Sequence, residues 1–164
     1  MAELIAFPNL ERVLREFGEE LKAQYQYNLA QNDRFATRKL MNTVDFIIKT
    51  GDSAYSVSLK LQDYWYYVEN GRGPTKGGGD GSLRRAILDW IKAKPILPTP
   101  DKNGKLPKPE QLAYLISRKI HQEGTKGTHD LRDATDDIYG NFQERIYEAI
   151  EKDVDEALIK IFLY

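Results

Sequence analysis

The chain has 164 residues, of which 41% are hydrophobic and 30% are charged, and it contains no cysteine. This composition favours one folded domain with its own core, excludes disulfides and thiolate metal sites, and suits a reducing compartment. We expect neither a signal peptide nor a membrane-spanning helix, because the N-terminus lacks a basic region and no apolar run approaches about 18 residues.

The first part of the chain predicts an amphipathic helix followed by a β-hairpin. Apolar residues recur at helical spacing after Asn9, the expected cap, and continue to about Asn28, with a second helical stretch over residues 34–41. Apolar and polar residues then alternate in two segments within residues 43–62. This alternation predicts two antiparallel strands with one buried face, joined by the Gly51-Asp52 turn.

The middle of the chain predicts a short helix and a loop. Asp63 is expected to cap a helix over residues 64–70, which stops at Gly71. Residues 71–81 contain so many glycines that we expect a mobile loop. Ser82 is then expected to cap the next helix, which ends before Pro95.

The last part of the chain predicts a proline-rich arm and two further helical regions. Residues 95–109 hold five prolines around an Asn-Gly turn, which is typical of an extended, projecting arm. A helix follows from Pro109 to Gly124, and a helical apolar pattern continues to the end, with Gly140 as a candidate break. The predicted fold class is α+β, a single domain over residues 1–164 in which a small antiparallel sheet packs with several helices and a long C-terminal helix.

The charges are segregated along the chain although the net charge is only −1. Residues 72–108 hold nine Lys or Arg and three Asp or Glu, whereas residues 130–156 hold ten Asp or Glu and three Lys or Arg. Such asymmetry indicates a nucleic-acid face, complementary surfaces that meet when copies assemble, or two solvated faces with no partner.

The sequence contains few motifs that would indicate catalysis, and we expect no enzyme, no cofactor and no metal. The two histidines, His121 and His129, lack the spacing that places two imidazoles on one helical face. No serine lies in a Gly-x-Ser-x-Gly turn, and Lys76 precedes the glycines instead of following them as a phosphate-binding loop requires. An acidic group near residue 130 keeps a metal enzyme open as a remote alternative; its members are Asp130, Asp133, Asp136 and Asp137.

Four consecutive aromatic residues, Tyr64-Trp65-Tyr66-Tyr67, point instead to protein contact. Successive helical residues are about 100° apart, so some of these rings must face outward, and exposed aromatics beside charges are typical of interfaces. We predict a docking segment over residues 64–74, with Trp65 and Val68 facing inward. The predicted interface residues are Tyr64, Tyr67, Glu69, Arg72, Lys76, Arg84 and Arg85. The alternative function is nucleic-acid binding by residues 72–108, and Lys102 and Lys105 are predicted to face DNA.

The order of these segments resembles the tail-completion, or head–tail joining (neck), proteins of tailed bacteriophages. The resemblance begins with the hairpin and continues through the Tyr-x-x-Tyr-Val-Glu-x-Gly-Arg segment that starts at Tyr64 and the Gly/Lys-rich loop. It extends through a helix with Trp90-Ile91, the segment over residues 112–120, Gly124-Thr125 and an acidic C-terminal helix. These features cover about three quarters of the chain, from Val44 to the end.

The resemblance implies a structural virion protein of the neck that catalyses nothing. Its expected assembly is a homo-oligomeric ring of six or twelve copies that joins the portal or its adaptor to the tail proteins, with phage DNA passing nearby. The expected location is the virion, and the host cytoplasm during assembly. The oppositely charged segments would then meet between neighbouring copies in a head-to-tail ring.

Overall fold

The computed structural model describes residues 6–32, 39–51, 54–76, 81–94, 96, 98–100 and 102–162. Over these residues the chain has the predicted α+β fold, with six helices, an antiparallel hairpin and a long C-terminal helix. The helices are α1 (Pro8–Gln31), α2 (Lys39–Asn42), α3 (Trp65–Asn70), α4 (Ser82–Ala93), α5 (Pro109–Glu123) and α6 (Asp130–Phe162). The strands are β1 (Asp45–Thr50), β2 (Tyr55–Lys60), β3 (Gly71–Arg72) and β4 (Thr125–Lys126).

The contacts divide the chain into two compact units, whereas composition predicts a single domain. The helix–hairpin unit contains α1, β1, β2, α6 and α2 apart from Lys39. The groove unit contains α3, β3, α4, α5 and β4. Length and hydrophobic content bound how much core a chain can form, but they do not specify how many separate cores it forms.

The core of the helix–hairpin unit lies between α1 and α6. Phe142 is fully buried and meets Phe17 edge to face, with ring centroids 5.3 Å apart. Val13 and Ala149 complete the buried cluster. Close approach of the hairpin requires Gly18, because a β-carbon there would overlap the ring of Phe46. The predicted helical pattern therefore corresponds to a buried face, and the alternating pattern to a half-buried face of the hairpin.

A buried carboxylate caps α1, which begins differently from the prediction. Asn9 lies inside the helix, and Phe7 occupies the cap position without a side-chain capping bond. The amides of Asn9 and Leu10 donate instead to the carboxylate of Asp153 in α6, at 3.0 and 2.8 Å. The side-chain amide of Asn9 donates to the same carboxylate at 2.8 Å. Free amides at a helix start need acceptors and favour negative charge, which Asp153 supplies from another helix.

The two long helices run antiparallel. Asp153 meets the N-terminus of α1, while at the other end Asn28 donates to the carbonyl of Asp130 and Asn32 contacts its carboxylate. Gly140 does not divide the C-terminal region, since α6 is one helix of 33 residues. One interior glycine costs a helix only about 1 kcal/mol, which the buried residues on either side offset.

The groove unit is built on α4 and α5. Ile87, Ile91 and Ala113 form its buried cluster. The helical spacing predicts the two isoleucines but not Ala113, and Leu115, which the same spacing places on the apolar face of α5, is 53% exposed. Gly81, in a left-handed conformation with φ 76°, occupies the cap position that the sequence assigns to Ser82. Tyr64 likewise stands at the cap of α3 in place of Asp63. Neither cap makes a side-chain capping bond, so packing rather than capping accounts for these helix starts.

The segments predicted to be irregular differ from one another. Residues 71–72 are not loop but strand β3, and residues 77–80 of the same prediction lie outside the described residues. In the predicted arm, Asn103 and Gly104 form a turn, with φ 75° at the glycine. Pro95, Leu97 and Asp101 of the arm lie outside the described residues, as do residues 34–38 of the second helical stretch and Asp52 of the hairpin turn.

Candidate interaction site

The pairing of β3 with β4 positions the candidate site. Gly71 follows α3 and Gly124 follows α5, both with φ 77°, a conformation that favours glycine. A β-carbon on Gly71 would overlap the carbonyl oxygen of Thr125, and one on Gly124 would overlap that of Arg72. The ends of α3 and α5 can approach this closely because the residue at each end, Gly71 or Gly124, has no side chain. We call this pairing the glycine clasp.

The clasp continues beyond the paired residues. Thr128 and His129 donate backbone hydrogen bonds to the carbonyls of Val68 and Glu69, at 3.0 and 3.1 Å. Gly127 lies against the carbonyl of Glu69, where a side chain would not fit. Two segments on which the phage resemblance rests, 64–72 and 124–125, are thus neighbours in space.

A groove of about 830 Å³ opens beside the clasp, between the segment after β3 and helices α4 and α5. Its cationic lining residues are Arg72, Lys76, Arg84 and Arg118, and His121 lies beside them. Neither aspartate nor glutamate lines it among the residues that the structure describes. We call it the basic groove. Concentrated positive charge with no acid to neutralise it favours an anionic partner.

The segment after β3 is tied to α5 by a double contact. The amide of Thr75 donates to the carbonyl of His121 at 2.9 Å, and its hydroxyl lies 2.6 Å from His121 Nδ1. Thr75 therefore fixes this edge of the groove, on which Lys76 lies. This part of the predicted mobile loop is held in place.

Arg84 is oriented by the opposite wall. Its guanidinium lies over the ring of Tyr114, 5.6 Å from the centroid, and Nη2 is 3.5 Å from the carbonyl oxygen of Glu110. A cation held against a ring loses part of its rotamer freedom before a partner arrives, which lowers the entropy that binding must remove.

The predicted interface residues separate into groups. Arg72, Lys76 and Arg84 come together in the basic groove, whereas Arg85 is exposed on α4 outside its lining. Glu69 is not an exposed contact, since it is 7% accessible. Its position at the glycine clasp, where two helix ends converge, accounts for its burial.

The tyrosines of the predicted docking segment lie at the surface. Tyr64, Tyr66 and Tyr67 are all exposed, while Trp65 and Val68 are half-buried. The predicted DNA-facing residues, Lys102 and Lys105, are exposed but do not line the groove.

Sequence reasoning missed one wall of the groove. Tyr114, Arg118 and His121 are four and three residues apart, which places them on one face of α5. The spacing of these three residues is present in the sequence. The apolar residues of α5 form a stronger pattern, however, and that pattern predicts only the buried face of the helix.

The helix–hairpin unit carries a surface of opposite charge on α6. Four exposed carboxylates lie within about 60° of the helix circumference, at spacings of four, three and four residues. These are Glu144, Glu148, Glu151 and Asp155. We call them the acidic ladder.

An exposed row of apolar side chains lies beside the ladder. It consists of Tyr147, Val154, Leu158 and Ile161, which are between 40 and 65% exposed. Their spacing of seven, four and three residues places them on the adjoining strip of the helix. We call them the apolar stripe. A contiguous row of large apolar side chains on a helix is typical of a surface that another element covers.

No family model matches the chain, and no curated protein or solved structure shows significant similarity to it. Within the described ranges, no helix is long and apolar enough to span a bilayer. In that same part of the chain, no three acidic or histidine side chains are grouped so that they could hold a metal ion. The basic groove, the exposed tyrosines and the surface of α6 are therefore the features on which a function can be proposed.

Proposed function

We propose that the chain is a structural protein of the phage head–tail connector, one that joins the portal or its adaptor to the tail. Its task is to dock copies of itself and neighbouring virion proteins, without catalysis, in a ring of six or twelve. The neck of the virion would then be its site, with assembly in the host cytoplasm.

One observation carries the proposal: the groove unit displays a groove lined by cations, and the helix–hairpin unit displays an exposed row of carboxylates. Among the residues that the structure describes, the basic groove is lined by four cations and no carboxylate, while the acidic ladder presents four carboxylates in a row. A chain with two different complementary surfaces forms heterologous contacts, which generate a ring where the rotation closes. The exposed tyrosines of the 64–67 segment supply a third surface, suited to other virion proteins.

The proposal is tested on virus particles. The gene is deleted from a phage that encodes the chain, and particles are examined by electron microscopy and protein mass spectrometry. We expect filled heads and separate tails in the deletion strain, and the protein at the neck of wild-type virions. A complete infectious particle without the protein contradicts the proposal.

Nucleic-acid binding is the second candidate, because the basic groove also suits a phosphate backbone. Arg84 and Arg118 supply fork-shaped donors for phosphate oxygens, and the hydroxyl of Ser82 lies in the same lining. Binding by this groove would weaken steeply as salt rises. Fluorescence anisotropy with labelled duplex DNA at 50 to 300 mM salt is the test, and no binding at the lowest salt eliminates this candidate.

A further inference from the structure

We infer that the apolar stripe and acidic ladder of α6 dock onto the basic groove of a second copy of this chain. The inference rests on the proposed function, which requires contacts between copies, and it names the two surfaces that meet. The occupant of the basic groove is then a helix face of the same protein.

Charge is the first reason. The groove offers Arg72, Lys76, Arg84 and Arg118, and α6 offers four exposed carboxylates over about 17 Å of helix. Long-range attraction between such surfaces orients two copies before contact and penalises the pairing of like surfaces. Groove against groove and ladder against ladder are both repulsive, so the favoured contact is head to tail.

Apolar complementarity is the second reason. The stripe exposes large side chains beside the ladder, and a partner that covers it must present apolar surface next to cations. The groove unit meets this requirement, because Leu83, Pro74 and Tyr114 lie in the groove lining together with the cations. Leu115, which is 53% exposed on α5, extends the apolar surface.

A second copy explains both surfaces with one contact. A DNA duplex could neutralise the groove, but it carries no basic surface for the ladder and no apolar surface for Val154, Leu158 and Ile161. A basic peptide could cover α6 but would be repelled by the groove. A second copy carries both surfaces and so satisfies each of them with one kind of contact.

Paired charge reversals test the inference. The groove variant is Arg84→Glu with Arg118→Glu, and the ladder variant is Glu148→Lys with Glu151→Lys. Each variant alone leaves its altered surface with two charges of each sign, so the attraction between the two surfaces is lost, and we expect its self-association constant to fall at least about tenfold. In an equimolar mixture the unaltered groove of the ladder variant can meet the unaltered ladder of the groove variant, so association should return to within about threefold of wild type. Sedimentation velocity over a range of protein concentrations measures all three samples.

Matched controls separate this contact from general charge effects. Lys92→Glu with Lys108→Glu reverses two exposed charges of the groove unit outside the groove lining, and Glu19→Lys with Glu20→Lys does so on α1. Both controls should associate like wild type. Circular dichroism checks folding, and Leu158→Ser provides a second route if a reversal unfolds the chain. Because Leu158 is exposed, its replacement should weaken association while leaving the unfolding midpoint unchanged.

Several outcomes overturn the inference. It falls if the wild-type chain stays monomeric at about 1 mM, or if the mixture of variants associates no better than either alone. It also falls if the groove variant loses DNA binding while self-association is unchanged, which would assign the groove to nucleic acid. If association is restored in the mixture but the protein is absent from the virion, the docking contact stands and the neck function is rejected. If the protein is found in the neck but association is not restored in the mixture, the neck function stands and the docking contact is rejected.

Discussion

The two units of the chain are stabilised in different ways. In the helix–hairpin unit, large side chains and a buried carboxylate join α1 to α6, so the contact depends on what the residues carry. In the groove unit, the glycine clasp joins the ends of α3 and α5 through backbone, so the contact depends on the absence of a β-carbon at its glycines. The first kind of junction is sensitive to truncation of a side chain and the second to the addition of one.

Truncation of the buried ring should have the largest effect. Phe142→Ala removes a fully buried aromatic side chain and leaves a cavity against Phe17, so we expect the free energy of unfolding of the helix–hairpin unit to fall by about 3–5 kcal/mol. Urea denaturation followed by circular dichroism measures it. Phe162→Ala is the control, because Phe162 is 81% exposed and its loss should change stability by less than about 0.5 kcal/mol.

The same variant also tests whether the two units unfold separately. Both tryptophans, Trp65 and Trp90, lie in the groove unit. If the units are independent, Phe142→Ala shifts the circular dichroism transition and leaves the tryptophan fluorescence transition in place. A common shift of both signals would show one cooperative transition.

Addition of a methyl group to the glycine clasp should rank second. Gly124→Ala places a β-carbon on the carbonyl oxygen of Arg72 and forces a positive φ on alanine, so we expect a loss of about 2–3 kcal/mol. Tryptophan fluorescence during urea denaturation reports it. Gly73→Ala, in the same segment but with open space around its β-carbon, should have little effect. Equal losses for the two variants would contradict the role of close approach.

Loss of the carboxylate that caps α1 should rank third. Asp153→Ala removes the acceptor of two backbone amides at the start of α1, and we expect a loss of about 1–2 kcal/mol. Hydrogen exchange at the amides of Asn9 and Leu10 should accelerate as well. Asp155→Ala, which removes an exposed carboxylate two residues further on, should leave that exchange unchanged.

The contact at the groove edge should give the smallest effect. Thr75→Val keeps the shape of the side chain but removes the hydroxyl beside His121 Nδ1, for an expected loss of about 1 kcal/mol. The loss should be local: hydrogen exchange at the backbone amide of residue 75 should become faster, while the midpoint of global unfolding should not change. The exposed Thr99→Val is the matched control. A change in global unfolding would show that this contact supports the whole unit.

Sequence periodicity predicted those parts of the fold in which burial repeats along one element. The alternation that gives Phe46, Ile48, Val57 and Leu59 one side of the hairpin is a local property of each strand, and it was read correctly. The clasp could not be read in this way, since two-residue strands have no period and their partners lie far apart in sequence. The prediction of a wholly irregular segment after Gly71 was therefore wrong at β3.

Long-range polar contacts were equally inaccessible. Asn9 has the residue type and position of a helix cap, but the acceptor for the helix start is Asp153, 144 residues away. Glu69 has the composition of a surface residue and is buried by the clasp. In the candidate site, the basic stretch of the sequence predicts three of the four groove cations. It does not predict Arg118, because the pattern of α5 indicates only the apolar face of that helix.

The antiparallel pairing of the long helices leaves α6 with an overhang. The helix meets the start of α1 at Asp153 and continues to Phe162, nine residues or about 14 Å further. Leu158 and Ile161 lie in this last part of the helix and are exposed, so their direction follows from their helical phase relative to Asp153. Deletion of one residue between Asp153 and Leu158 would turn Leu158 and Ile161 by about 100° relative to the buried residues that precede them. The number of residues after Asp153 therefore determines the direction in which the exposed apolar side chains face a partner.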